Sequence, residues 1–165
     1  LDFTLTVYPA HEPTLVEGSY VLEPGTGDLG IRLRGHDPDG DVVGFGLNIE
    51  NPAGEVVIGL DGGAPVDIDA MLEKMEVDDD GAVTLTWRGL GGALNEDLLG
   101  VVSCSLFDGG GLRSAPIRLE RAEVTRLEPG AACDPYDPFA TCAPGSVCAD
   151  PMPDDGDATT WCVEM

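Results

Sequence analysis

Residues 29–50 contain two alternating runs on either side of an acidic turn, and this stretch constrains the fold more than any other. Every second residue is apolar from Leu29 to Leu33, and the same period recurs from Val43 to Ile49. A period of two places alternate side chains on opposite faces of a β-strand, so each run has one face to bury. Between the runs, Pro38 presets a negative φ and Gly40 accepts a positive one. The sequence therefore predicts a strand, a tight acidic corner and a second strand.

Further strand-like runs, separated by turn residues, lie at 1–8, 14–24, 55–60, 82–88, 98–107 and within 112–127. The 23 glycines and 13 prolines are too many for a helical protein. We predict an all-β chain: an immunoglobulin-like β-sandwich of about seven to eight strands over residues 1–127, with a small disulfide-stapled tail over 128–165. Residues 67–77 have helical character, with a short helix to Met75 capped by Asp67 or Asp69; a strand or an irregular crossover is the alternative.

The net charge of −23 limits the partners that such a chain can bind. It repels nucleic acid and anionic membrane surfaces and attracts cations, although a simple solvated acidic coat is the leading interpretation. No apolar run approaches the roughly 20 residues of a membrane helix. Half of the basic residues lie within 112–127, which we interpret as a solvated face: Arg113, Arg118, Arg121 and Arg126. The expected partners are proteins, including copies of the chain itself.

The five cysteines are unevenly placed. Cys104 stands alone in a strand-like run, where a small buried hydrophobe is favoured over a bond to another chain or to the tail. The other four lie in a segment too small to build a core, which indicates disulfides and an oxidising compartment. Their spacing does not suit zinc. Of the three possible pairings, we predict Cys133–Cys148 with Cys142–Cys162. We expect an extracellular or cell-surface protein, and we interpret the chain as the secreted mature form, without a leader.

Two stretches resemble bacterial immunoglobulin-like domains of the PKD and cadherin-like kind: HDPDGDVVGF at 36–45 and VVSCSLFDGGGLRSAPIRL at 101–119. In that family a strand ends in an acidic DPDGD corner, and an Asp-Gly-rich turn ahead of a serine joins the last two strands. The resemblance covers roughly residues 12–124 and implies the sandwich fold of a secreted surface protein. The paired core cysteines of antibody-type domains are missing, since residues 29–35 contain none. The tail resembles small disulfide modules of secreted bacterial surface proteins.

A group of aspartates is the candidate metal site. Alternate loops of an immunoglobulin-type sandwich gather at one end. If residues 67–77 act as a strand or its topological equivalent, three loops share that end and bring together Asp37, Asp39, Asp41, Asp78, Asp80 and Asp108, with Asp79 beside them. Crowded carboxylates repel one another, and calcium, which takes roughly six to eight oxygen ligands, relieves the repulsion. The resemblance implies the same cation, because cadherin-like domains often bind calcium at such corners. The alternative is that DPDG is only a good turn whose aspartates are solvated.

Enzyme motifs are missing from the sequence. Neither His11 nor His36 lies in a zinc-protease motif, and there is no nucleophile elbow or Walker loop. Gly25-x-Gly27-x-x-Gly30 matches the dinucleotide-binding pattern, but an alternating strand follows it where that pattern requires a helix. We therefore predict that the chain is not an enzyme.

The functional expectation is a non-enzymatic extracellular structural or adhesive protein. The alternative is a subunit of an extracellular filament assembled by strand complementation, in which residues 1–8 complete the open sheet edge of a neighbour. The exchanged strand would present one apolar face, made of Leu1, Phe3, Leu5 and Val7. That residues 1–8 form the domain's own first strand is an alternative of about equal weight. A protease inhibitor or an enzyme accessory module ranks third.

Overall fold

The computed structural model of the chain describes residues 10–23, 27–59, 74–89, 94–149 and 159–165. These residues form an all-β structure, as the sequence predicts, with a single turn of 3₁₀ helix at Glu96–Leu98. The first nine strands are β1 Thr14–Leu22, β2 Leu29–His36, β3 Val42–Glu50, β4 Val56–Gly59, β5 Lys74–Val77, β6 Ala82–Gly89, β7 Val101–Asp108, β8 Ile117–Arg118 and β9 Glu120–Arg121. The last four are β10 Thr125–Leu127, β11 Ala140–Cys142, β12 Ser146–Ala149 and β13 Trp161–Glu164.

Strands β1–β9 form two sheets. The first sheet has the order β5-β6-β2-β1-β9, and the second has the order β4-β3-β7-β8. All neighbours are antiparallel except β1 and β9, which run parallel. The immunoglobulin-like arrangement of these strands stays a prediction. We call these nine strands the sandwich.

The inner faces of the two sheets enclose one hydrophobic core. Phe45 of the second sheet meets Trp87 of the first edge to face, with ring centroids 5.6 Å apart. The residues that alternate along β2 are buried as predicted: Leu29, Ile31 and Leu33. Along β3 the prediction fails at Val43, which is 41% exposed, whereas Val42 is 5% exposed. The register with β7 shifts between Val42 and Gly44, and a bulge of this kind turns the preceding side chain to the opposite face.

The predicted helix at 67–77 is wrong where the structure describes it, since Lys74–Val77 is strand β5. This strand pairs with β6, and half-buried Met75 lies opposite buried Leu85 and packs against the core. Pairing with an exposed strand edge therefore outweighs the local helical preference. Residues 60–73, where that helix would begin, lie outside the described residues.

The predicted last strand at 112–127 is divided among three short strands. The chain leaves the second sheet after β8, pairs with β1 as β9, and then pairs as β10 with β11 in parallel. Strands β12 and β13 form a separate antiparallel pair. We call residues 125–165 the C-terminal module. The described part of the chain contains no helix with the length and apolar character needed to cross a membrane.

Candidate functional site: an acidic corner of three turns

Three acidic turns meet at one end of the sandwich, as the sequence predicts. They connect β2 to β3, β5 to β6, and β7 to β8. The backbone N–H of Asp37 donates to the carbonyl of Gly81 (2.7 Å), and the N–H of Gly109 donates to the carbonyl of Asp41 (2.8 Å). His36 Nε2 also lies 2.8 Å from the carbonyl oxygen of Asp80. Main-chain hydrogen bonds therefore join all three turns into one unit, which we call the acidic corner.

Asp37 is the central residue of this corner and is fully buried. Its Oδ1 accepts a hydrogen bond from the N–H of Asp39 (3.1 Å), and its Oδ2 accepts one from the N–H of Asp41 (2.8 Å). A carboxylate that accepts backbone N–H bonds two and four residues ahead stabilises the reversal of the chain. Gly40 completes the turn with a φ of 68°, where a side chain would be strained. Both oxygens of the buried Asp37 carboxylate are therefore occupied by hydrogen bonds within its own turn.

Asp39 is held by a residue that the sequence analysis did not connect to the site. Its Oδ2 accepts from the backbone N–H of His11 (2.7 Å), and its Oδ1 lies 3.0 Å from His11 Nδ1. These contacts lower the pKa of Asp39, chiefly through the backbone hydrogen bond. The two residues are 28 positions apart, and no local sequence signal links them. His11 therefore ties the segment that precedes β1 to the acidic corner.

Asp41 has the opposite electrostatic environment. Its pKa is raised, first because the fold reduces the hydration of its carboxyl and then because the carboxylates of Asp37 and Asp108 repel its charge. Asp108 is buried, and its Oδ1 accepts from the backbone N–H of Leu112 (2.6 Å). Asp108 thus closes its own turn while it raises the cost of ionising Asp41.

The third turn contributes less to the group of carboxylates. Asp78 Oδ1 accepts from the backbone N–H groups of Asp80 and Ala82, both at 2.9 Å, and so caps its own turn. Among the described residues, the aspartates that can each bring one carboxylate oxygen within 4.8 Å of the others are Asp37, Asp39 and Asp41. The structure therefore brings together three of the six predicted ligands, places Asp108 beside them, and leaves the carboxylates of Asp78 and Asp80 outside the group.

These donors fit calcium only in part. Calcium takes roughly six to eight oxygen ligands, and three carboxylates supply at most six oxygens. Both oxygens of Asp37 already accept amide hydrogen bonds, and both oxygens of Asp39 contact His11. Asp41 is the member of the trio whose charge is least compensated. Calcium at this corner stays a prediction, and binding would have to compete with the contacts to His11.

The C-terminal module has the predicted disulfides. Cys133 pairs with Cys148 and Cys142 pairs with Cys162, with Cα atoms 5.9 and 5.5 Å apart. Cys148 and Cys162 also lie opposite each other in the β12–β13 pair, so the two disulfides adjoin. The fifth cysteine, Cys104, is free and buried, and its burial raises the pKa of the thiol. It packs as a small hydrophobe, the interpretation favoured from its alternating neighbours.

The module contacts the outer face of the first sheet through Arg32. Its guanidinium donates to Asp137 Oδ1 (2.8 Å) and lies 4.4 Å from the centre of the Phe139 ring. Beside it, Pro138 occupies the space that a Cβ on Gly30 would need. The last glycine of the rejected dinucleotide pattern is therefore required by the close packing of β2 against Pro138 and Val21.

The predicted exchange strand at residues 1–8 lies outside the described residues. Comparisons with known proteins add no family: no protein-family model matches the chain, and no curated protein matches it significantly.

Proposed function

We propose that this chain is a non-enzymatic structural or adhesive module that acts outside the cell through its surface. One observation carries the proposal: in the described residues, the buried aspartate and serine side chains of the sandwich all hold the fold through hydrogen bonds, and the one buried polar atom without a partner, Trp87 Nε1, lies in the apolar core. Asp37 and Asp108 accept backbone N–H bonds within their turns. Ser114 Oγ accepts from the N–H of Leu106, and Ser105 Oγ accepts from Arg113 Nε. None of these groups is positioned as an activated nucleophile or a general base.

The two disulfides and the charge support the extracellular part of this proposal. Disulfides persist in oxidising environments, and this module has little apolar core to replace them. A net charge of −23 keeps the chain soluble and discourages contact with anionic surfaces. Both features suit a protein exposed to the medium.

Cell fractionation combined with thiol counting tests this proposal. Antibody should label intact cells of the source organism, and deletion of the gene should reduce their adhesion to surfaces or to one another. In protein purified without reductant, a maleimide should label one of the five cysteines after denaturation, namely Cys104. A cytoplasmic location together with five labelled cysteines would contradict the proposal.

A second candidate function is a filament subunit, and the edge of the first sheet favours it. β1 pairs with β9 only at Ser19 and Tyr20, so that within the described residues the first half of β1 is hydrogen-bonded to a strand on one side alone. Such an edge is a template for a strand from another chain. Concentration-dependent light scattering and negative-stain images distinguish the candidates: a monomer at all concentrations favours the module, and regular fibres favour the subunit.

A further inference from the structure

A groove runs along the open half of β1. It forms because the chain crosses between the sheets at Leu119: β8 pairs with β7 in the second sheet, while β9 pairs with β1 in the first. On this side β1 therefore has no hydrogen-bonded neighbour from Thr14 to Gly18 in the described structure, although β8 lies close to it and Gly18 packs against Leu119. The groove has a volume of about 540 Å³ and is lined by β1, β2, β8 and Glu120.

The charge of this groove is unusual for so acidic a chain. Its lining contains three arginines and two glutamates, Arg32, Arg34, Arg118, Glu17 and Glu120, whereas the whole chain carries −23. Arg34 is paired with Glu17 (2.6 Å), and Arg32 is paired with Asp137. Arg118 forms no ion pair with any residue that the structure describes. Two copies of this chain carry the same large negative charge and repel each other, and at this groove the repulsion is locally reduced because the charges are nearly balanced.

The groove also exposes apolar surface next to the unpaired backbone. Val16 lies in the bulge of β1 and is 67% exposed, and Ile117 of β8 is half-buried at the groove wall. An extended segment with one apolar face gains main-chain hydrogen bonds from the edge and side-chain contacts from these residues. The occupant that this surface fits is therefore an alternating strand.

We infer that the groove accepts residues 1–8 of a second copy of this chain. The inference rests on the filament candidate and gives it an acceptor site. An eight-residue strand spans about 27 Å at roughly 3.4 Å per residue, which covers the five open residues of β1. Residues 1–8 alternate, and their polar face includes Asp2, whose charge suits Arg118. His11 is hydrogen-bonded to Asp39 at the end of the sandwich, so residues 1–8 are attached to the sandwich at that end.

Site-directed crosslinking in the full chain tests this inference. One copy carries Thr6→Cys, a second, isotope-labelled copy carries Val16→Cys, and a short bis-maleimide joins the added thiols, since native Cys104 is buried. We expect crosslinks between different copies at least several-fold above those of a matched control, in which Val57→Cys on edge strand β4 replaces Val16→Cys. Crosslinks within one chain, in a copy carrying both Thr6→Cys and Val16→Cys, would show that the strand is the domain's own and overturn the inference.

The other outcomes separate the acceptor site from the filament. If light scattering shows assemblies but Thr6→Cys crosslinks to Val57→Cys and not to Val16→Cys, the proposal of a filament subunit is supported and the assignment of the groove as its acceptor site is wrong. If the chain is monomeric at all concentrations, both are wrong.

A charge reversal gives a second readout. Arg118→Glu should weaken assembly roughly three- to tenfold, more at low salt than at high salt. Arg126→Glu makes the same change in net charge on the C-terminal module and should have a smaller effect. Equal effects of the two variants would indicate general repulsion and overturn the role of the groove.

Discussion

The sandwich and the C-terminal module are stabilised by different means. The sandwich buries large apolar side chains between its sheets, among them Phe45, Trp87 and Leu85. In the described part of the module, the buried residues are Pro138, Phe139 and Cys162. Two sheets of strands enclose enough volume for a core, whereas the short strands β10–β13 do not. Covalent crosslinks replace the core where the chain is too short to build one.

From this difference we expect that the two regions can be perturbed separately. A change in the core should unfold the sandwich, a change in a disulfide should loosen the module, and the contact through Arg32 should couple them. The following experiments test that separation, beginning with the largest expected effect.

Phe45→Ala should cost the sandwich about 3 to 5 kcal/mol of unfolding free energy, because it removes a fully buried ring and its contact with Trp87. Urea denaturation monitored by tryptophan fluorescence measures the loss. Val43→Ala is the matched control on the same strand, and since Val43 is largely exposed it should cost less than about 0.5 kcal/mol. Comparable losses for both variants would show that the core is misplaced.

The double variant Cys142→Ser/Cys162→Ser should destabilise the module by about 3 kcal/mol, because its disulfide constrains a loop with a sequence separation of 20. In hydrogen exchange, amides of β11–β13 should lose protection while those of β2, β3, β6 and β7 keep it. Cys104→Ala is the control for loss of a cysteine elsewhere. Simultaneous loss of protection in both regions would mean that they form one cooperative unit.

Asp37→Ala should cost the sandwich about 1 to 3 kcal/mol, because it leaves the N–H groups of Asp39 and Asp41 without their acceptor. Thermal melting of the variant measures this loss, and hydrogen exchange should show the module unchanged. Asp79→Ala, at an exposed position in the neighbouring turn, is the control and should be nearly neutral. If Asp37→Ala left the stability unchanged, this carboxylate would not have the central role in the turn that its hydrogen bonds indicate.

Arg32→Ala should weaken the attachment of the module by about 1 kcal/mol, since it removes an ion pair and a cation–π contact that are partly exposed. Exchange protection in β10 and β11 reports the effect. Arg34→Ala on the same face of β2 lacks contacts with Phe139 and should leave the module unaffected. A drop in sandwich stability alone would contradict the assignment of Arg32 to the coupling.

Asp41→Asn has the smallest expected effect and a distinctive sign. The raised pKa of Asp41 means that its ionised form destabilises the fold at neutral pH, and this cost disappears as the pH falls through the raised pKa. At pH 7 in the presence of a chelator, the free energy of unfolding of the variant should therefore exceed that of wild type by about a few tenths of a kcal/mol, and its melting midpoint should be slightly higher. Added calcium should raise the melting midpoint of wild type and not that of Asp41→Asn; a midpoint that calcium leaves unchanged in wild type would remove the predicted cation.

Asp39→Asn provides the contrast within the same corner. The pKa of Asp39 is lowered, so its ionised form contributes stability above the unfolded value of about 3.9, and this is lost as the pH falls through the folded pKa. The variant should therefore melt lower than wild type at neutral pH, and the difference should shrink in acid. The changes in melting midpoint at neutral pH should therefore have opposite signs for Asp39→Asn and Asp41→Asn. This contrast tests whether His11 stabilises the charge of Asp39 and whether the neighbouring carboxylates destabilise that of Asp41.

Much of the fold follows from patterns that act over a few residues. Alternation predicts the buried face of β2, and Pro38 with Gly40 predicts the turn. The register was not predictable at Val43, because a bulge depends on how β3 meets β7. The local helical propensity gave a wrong prediction at 74–77, because pairing with the adjacent strand β6 decides the conformation there.

The candidate site divides in the same way. The meeting of the three acidic turns follows from the order of the strands, which the sequence supports. Three other features of the site could not be predicted from the sequence. The contact between His11 and Asp39 and the two contacts of Arg32 join residues far apart in the chain. Asp78 was predicted as a metal ligand, but its carboxylate instead accepts hydrogen bonds within its own turn.

The sequence by itself determined that the chain forms two-faced strands and that crosslinks stabilise its tail, because both properties are set by residue type and spacing. The tertiary structure alone decided which charges are compensated and which sheet edge stays open. Hydrogen bonds and ion pairs act over a few ångströms, so their partners are fixed only once the sheets have brought distant segments together.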